Sequence, residues 1–231
     1  QRHLTIPCEM CIRDSYNHSI LPLCNERDRH TQIAWGLEEF RFRFGREAEG
    51  IWLPETAINM ATITALINYG VKFVVLSPKQ AARIRLFGES LWKECIGLPF
   101  DTRRPYRVFE RDNQGRKHYH RFIDVFFYNG ELSGAVAFGH LLRDAVAMRA
   151  TFASAADDGR VEPQLIAAAT DGESYGHHER FGEMCVAAFY SSLEKQGGGI
   201  PTNFAHYLSL HPPAWEAEVW EGEKGEGSSW S

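Results

Sequence analysis

The sequence has no run approaching the roughly 18 consecutive apolar residues that a membrane-spanning helix requires. Its first residues lack the charged, apolar and small-residue layout of a secretory signal, so the expected location is the cytoplasm, away from a membrane. There is no clustered basic patch: 25 Lys and Arg are interspersed with 30 Asp and Glu, for a net charge of -5. A nucleic-acid-binding surface is therefore not expected. Cysteine is sparse, with five residues at positions 8, 11, 24, 95 and 185. An odd, scattered set is a poor disulfide framework. Cys8 and Cys11 form the one close pair, and no second pair or matching histidines complete a zinc site. No internal repeat is present.

What remains is an ordinary globular composition. The 231 residues are 44% hydrophobic and 13% aromatic, enough for a substantial core. The stretch "CEMCIRDS" resembles a translated sequencing-adapter peptide, so residues 1–15 are expected to be non-native or disordered. The Gly, Glu and Ser-rich end "EGEKGEGSSWS" carries no obvious element to tie it down. Mobility is therefore expected there, and residues 216–231 are read as the start of a truncated C-terminal region. The chain between, 16–215, is expected to be the main folded part.

Within that span, strand and helix signals alternate. Ile33, Leu37, Phe40 and Phe44 recur at helical spacing, and Gly45 provides a stop. "GIWL" reads as a short buried strand, and "TAINMATITALINYG" as a helix with Met60, Ile63 and Ile67 on one face and Gly70 ending it. "VKFVVLSP" reads as a strand covered on both faces. Together they make a β-α-β unit with parallel strands. Residues 78–115 read as loops with a small hairpin near "ERDNQGRKHYH". "FIDVFFYNG" is a strand. The long run "ELSGAVAFGHLLRDAVAMRATFASAA" predicts one helix with Phe138, Leu141, Leu142, Ala145, Met148 and Phe152 on a stripe. "QLIAAAT" is a further strand, followed by a helix with Phe181, Cys185, Ala188, Phe189 and Leu193 inward. The alternation indicates an α/β protein, most simply a barrel or part of one.

Two of these strands run into acids. "GIWL" leads through Pro54 to Glu55, with Trp52 before it. "LIAAAT" leads to Asp171, with Glu173, Tyr175, His177 and His178 close behind. Chemistry in parallel α/β folds gathers at the carboxyl ends of strands. Paired carboxylates with aromatic and histidine neighbours suit glycoside cleavage. Spacing alone leaves Glu55 equally readable as an acid at a helix N-terminus, and Asp171 as a cap or turn residue.

"GIWLPETA" and "TDGESYGHH" resemble the third and fourth conserved regions of glycoside hydrolase family 57. "YNHSILPL" at 16–23 resembles the segment that precedes them. The run "RDRHTQIAWGLEEFRFRFGREAEGIWLPETA", with "TNFAHYLSLHPP" and "SSWS", is similar to an α-amylase/α-mannosidase-like subgroup. The family's first region, which contains histidine, is not found, and His3 lacks its context. The resemblance implies that 16–215 is a partial catalytic barrel, an incomplete (β/α)7 barrel with parallel strands and outer helices, truncated at both ends. It also implies a retaining mechanism on α-glucan or related polysaccharide. By motif position Glu55 is the nucleophile and Asp171 the general acid/base. Asp171 must then start protonated, which requires a raised pKa. His18, Trp52, Glu173, Tyr175, His177 and His178 would line the sugar site. No cofactor or metal is implied. The alternatives are a metal-dependent carbohydrate deacetylase, with Asp171, His177 and His178 as ligands, and a non-catalytic carbohydrate-binding module.

Overall fold

The computed structural model describes residues 2–5, 16–112 and 114–230. The Cys8–Cys11 pair and most of the segment expected to be non-native lie outside the described residues. Arg2–Thr5 do not: they form strand β1, hydrogen-bonded on both sides. The expectation of disorder is corrected there. Four residues are too few to stand out by periodicity, and the pairing comes from strands 160 residues away.

Helix α1 (Glu26–Phe44) has its start and stop written locally. Asn25 accepts from the Asp28 N–H at 2.9 Å, and Glu26 and Asp28 place negative charge in the first turn, where the helix dipole favours it. Gly45 closes the helix at φ 66°, the left-handed conformation glycine adopts without a Cβ penalty. Ile33 and Phe40 are buried, while Phe44 is exposed. Strand β2 (Gly50–Ile51) and β3 (Phe73–Leu76) pair in parallel across helix α2 (Met60–Asn68), as the β-α-β reading expects. A Cβ at Gly50 would stand 2.2 Å from the Phe73 ring, so only glycine lets these strands meet.

The region read as loops contains more sheet than expected. β4 (Ala81–Leu86), β5 (Lys93–Glu94), β6 (Tyr106–Arg111) and β7 (Lys117–Phe127) are all strands. β6 and β7 form the antiparallel hairpin, longer than the small one expected. Only the last five residues of β7 are continuously buried. Its outer half alternates charge and aromatic residues, which is why that half did not read as strand.

The long helix expected over 131–156 is broken. α3 (Gly130–Ala137) and α4 (Ala145–Ser154) are separated by a 3-10 turn at Leu141–Arg143. His140 at the break has φ 56°, which no right-handed helix can contain. Gly139 packs against the Ala135 carbonyl, where a Cβ would come within 2.9 Å. Phe138, expected to be buried, is 85% exposed as a result. Strand β8 (Gln164–Ala167) and helix α5 (Gly182–Gln196) follow. Cys185, Phe189 and Leu193 face inward as expected, whereas Phe181 and Ala188 are exposed. β9 (Ile200–Pro201), α6 (Phe204–Leu210) and β10 (Trp215–Val219) complete the order.

The described residues fall into two compact units. One comprises 2–5, 102–104 and 128–211. Its parallel sheet has the order β8-β1-β9, and its core includes Leu4, Val136, Met148, Phe152, Ile166 and Phe189. The other comprises 16–101, 105–127 and 212–230. Its seven-stranded mixed sheet has the order β2-β3-β7-β6-β10-β4-β5. Its core includes Ile51, Leu53, Leu66, Val74, Leu76 and Phe127. Residues 216–219, at the start of the expected C-terminal region, belong to this sheet, where β10 lies between β6 and β4. Ala217 and Val219 join the core. Among the described residues no helix is long and apolar enough to cross a membrane.

Candidate active site

Leu53 is fully buried two residues beyond β2, and Pro54, with no N–H to donate, cannot extend the ladder. The chain then turns sharply. Thr56 N–H donates to the Leu53 carbonyl and Ala57 N–H to the Pro54 carbonyl, both at 2.9 Å. Within this turn Glu55 has φ 54° and Thr56 φ 51°. Two successive non-glycine residues in the left-handed region cost of order 1–3 kcal/mol each, and Thr is β-branched, the type least suited to it. The turn persists because its surroundings hold it. The fully buried Gln80 accepts from Thr56 Oγ1 at 2.8 Å, and its Nε2 donates to the Thr56 carbonyl at 2.8 Å. The same Nε2 donates to the Ser228 carbonyl at 3.1 Å. Ser228 also pairs with Ile58 through two main-chain bonds, at 2.9 and 3.0 Å.

The alternative of a helix-start acid is not what the turn builds. α2 begins five residues later, its cap is Asn59, and its first turn contains no acid. Glu55 projects instead among three side chains of its own unit. The Trp230 indole Nε1–H donates to Glu55 Oε2 at 2.8 Å. His18 Nε2 stands 3.8 Å from Oε1. Trp52 packs edge-on against Trp230, with centroids 5.2 Å apart. The Glu55 side chain is 43% exposed, so one carboxylate oxygen is held while the group stays open to solvent. The sequence places His18 and Trp52 among the expected neighbours; Trp230, in "SSWS", joins them here. A cavity of about 760 Å³ in this unit lies elsewhere, lined by Arg83, Trp92, Glu110, Arg111 and Glu218 among others. Glu218 there pairs with Arg83 at 2.7 Å and Arg111 at 2.8 Å.

Asp171 belongs to the other unit, four residues beyond the end of β8. The buried run Leu165–Ala169 delivers it to the surface. Its carbonyl accepts from Ser174 N–H at 3.1 Å, opening the 3-10 turn Gly172–Ser174, but its side chain does not cap that turn. The expected neighbours gather on the same loop. The Glu173 carbonyl accepts from the N–H groups of His177 and His178, at 3.2 and 2.8 Å. The two imidazoles pack edge to face with centroids 5.0 Å apart. Tyr175 shares a 2.6 Å hydrogen bond with Thr170 through their hydroxyls. Asp171, Glu173, His177 and His178 are exposed. Among the described residues no group of three or more His, Cys, Asp or Glu is arranged to hold a metal ion.

A further acid, to which the sequence assigns no role, anchors this loop. Glu179 is 7% exposed. Arg143 donates to both its oxygens, at 2.7 and 3.0 Å, and His140 Nδ1 bonds Oε1. The hydrogen bonds from Arg143 and His140 hold its carboxyl well below the usual range, at about 2. Its main chain closes the loop: the carbonyl accepts from Gly176 and Gly182 N–H, both at 3.0 Å. The left-handed His140 is thus held by the same acid that fixes the loop after Asp171.

A profile of glycosyl hydrolase family 57 matches residues 8–213. No curated protein matches the chain. Several solved structures do. A GH57 branching enzyme from Thermococcus kodakaraensis is 19% identical with a TM-score of 0.69, over 94% of this chain and 50% of that one. A GH57-type branching enzyme from Pyrococcus horikoshii is 17% identical with a TM-score of 0.69, over 96% and 47%. A 4-alpha-glucanotransferase from Thermococcus litoralis is 18% identical with a TM-score of 0.66, over 90% and 29%. The chain thus spans half or less of the length of these structures. At such identities the likeness concerns the fold, an α/β arrangement of the incomplete (β/α)7 barrel kind with parallel strands. With the profile spanning most of the sequence, the chain belongs to glycosyl hydrolase family 57.

Proposed function

We propose that this chain carries the two catalytic carboxyl groups of a retaining glycoside hydrolase or transglycosidase acting on α-glucan or a related polysaccharide. The observation that carries the reading is the Glu55 turn: a strained, left-handed acid at a strand end, outside the following helix and held by an indole N–H. Strain of this kind persists where the surroundings impose it, and it clusters at active sites. The branching enzymes and the glucanotransferase among the similar structures support an α-glucan as substrate.

In this mechanism Glu55 attacks the anomeric carbon and forms a glycosyl ester. Asp171 gives its proton to the departing oxygen, then removes one from the incoming water or sugar hydroxyl, and the ester breaks with retention. Trp52 offers an aromatic face for a sugar ring, and His18, Glu173, Tyr175, His177 and His178 offer hydrogen bonds to hydroxyls. The same step yields hydrolysis with water or transfer with a sugar acceptor. The test is Glu55→Gln and Asp171→Asn, assayed on soluble starch and maltooligosaccharides, with the anomer of the first product followed by proton NMR. Loss of turnover in both variants, and an α product from the unaltered protein, are expected. Full activity in either variant, or a β product, defeats the assignment.

A further inference from the structure

Trp230 meets Glu55 twice. Its main-chain N–H donates to the Glu55 carbonyl at 3.2 Å, and its indole Nε1–H to Glu55 Oε2 at 2.8 Å. The indole is backed by the edge of Trp52. The segment that carries it is tied to the strained turn through the Ser228–Ile58 pair and Gln80. The contact is therefore built from both ends, and the turn and the donor share one set of supports.

An indole N–H donates and accepts nothing. It favours a carboxylate over a protonated carboxyl, and over an ester, because a hydrogen bond to an ionised acceptor is roughly twice as strong as one between neutral groups. Only one carboxylate oxygen forms the bond to a sugar; the other becomes the ester carbonyl. We infer that Trp230 is a positioning residue that fixes this choice: its indole N–H holds Oε2, and Oε1, on the His18 side, is the oxygen presented to the anomeric carbon. This rests on the reading of Glu55 as nucleophile.

The consequences follow step by step. In the first step an Oε1 lone pair forms the bond to the anomeric carbon. The glycosidic oxygen leaves with its bonding pair and takes the proton of Asp171. The negative charge of Glu55 disappears into the ester, and the indole bond weakens. In the second step the acceptor oxygen bonds to the anomeric carbon as Asp171 takes its proton, and Glu55 leaves with the electron pair. The indole bond strengthens as that charge returns. Trp230 thus assists the departure of Glu55 more than its attack.

Trp230→Phe keeps the ring and removes the donor. With an aryl α-maltooligoside as substrate, kcat is expected to fall on the order of tenfold to a hundredfold, the loss of one hydrogen bond to a charged group. The glycosyl-enzyme should accumulate in mass spectra of the quenched reaction. A quenched reaction in which no glycosyl-enzyme accumulates overturns the inference, whatever happens to kcat. A second measurement needs no turnover. The indole N–H resonance of Trp230, assigned by its absence in Trp230→Phe, should lie further downfield in the unaltered protein than in Glu55→Gln, whose neutral amide is a weaker acceptor. A resonance at the same position in both proteins also overturns it. If Glu55→Gln retains full turnover, the nucleophile reading falls. If Glu55→Gln is inactive and Trp230→Phe accumulates no glycosyl-enzyme, only the role of Trp230 falls.

Discussion

Arg143 grips Glu179 by both carboxylate oxygens, at 2.7 and 3.0 Å, across the break between α3 and α4. With His140 on the same acid, this is the fastening of the loop that starts at Asp171. A folded pKa of about 2 against an ordinary 4.5 makes the fastening pH-dependent. The unfolded chain binds the proton more readily, so stability rises with pH through this interval. The contribution is whole above about 4.5 and is lost as pH falls toward 2. The apparent Tm of the protein should drop over that window. In Glu179→Gln it should be lower at neutral pH and flatter through the same window. Equal slopes in the two proteins would remove Glu179 from the account.

A second titration lies at higher pH. The buried His3 packs edge-on with the half-buried His211, with centroids 5.4 Å apart, beside Tyr207. Neither ring nitrogen of His3 has a hydrogen-bond partner among the described residues. Burial pushes the pKa of both imidazoles down, and for His3 the neighbouring His211 adds to the effect. The folded protein therefore resists protonation that the unfolded chain accepts. The contribution is whole above the unfolded value of 6.5 and is lost as pH falls below it. Urea unfolding followed between pH 8 and 5 should show stability falling toward acid. His211→Phe should flatten that fall while leaving the Glu179 window untouched.

Gln80 lies 24 residues from Thr56 and touches no proposed reacting atom. It nonetheless satisfies both polar groups of Thr56, accepts from Ser77 N–H at 2.9 Å and reaches Ser228. Gln80→Leu is close in volume but orphans these buried groups, at a cost of about 3 kcal/mol. It should also relax the left-handed turn. Chemical denaturation should register the first effect. A fall in kcat larger than any change in KM, measured where the variant remains folded, should register the second.

Arg107 and Asp124 sit directly opposite each other on β6 and β7 and form a two-pronged ion pair at 2.7 and 3.1 Å. Asp124 is 5% exposed. Arg107→Met leaves that charge buried without its partner, which costs about 3 kcal/mol. Arg107→Met combined with Asp124→Leu should recover most of the loss. Denaturation midpoints of the two single variants and the double variant complete the cycle.

What could be read from the sequence was local. The caps of α1 lie within one segment, and so do the β2-α2-β3 order and the two acidic motifs. Each is decided by residues a few positions apart. The break at His140 could not be read, because the stripe from Phe138 to Phe152 is periodic and the acid that bends it is 39 residues on. β1 and β10 are short, and distant partners make them strands. Trp230 was visible as a motif residue, but its role depends on Glu55, 175 residues earlier. The left-handed turn at Glu55 goes against the preference of both residues in it. Local propensity therefore fails at the place where the chemistry is proposed, as expected when neighbouring structure imposes a conformation.

The insertion of β10 between β6 and β4 also sets an order of events during synthesis. A ribosome delivers the chain at about 5–20 residues per second. The acid at 55 is therefore outside for on the order of ten seconds or more before the indole at 230 exists. Until then the seven-stranded sheet has a gap where Trp215–Val219 will lie. Residues that flank the gap must wait for it to close, and long-range closure of this kind is slow. The nascent protein thus carries its candidate nucleophile well before the indole that meets it is made.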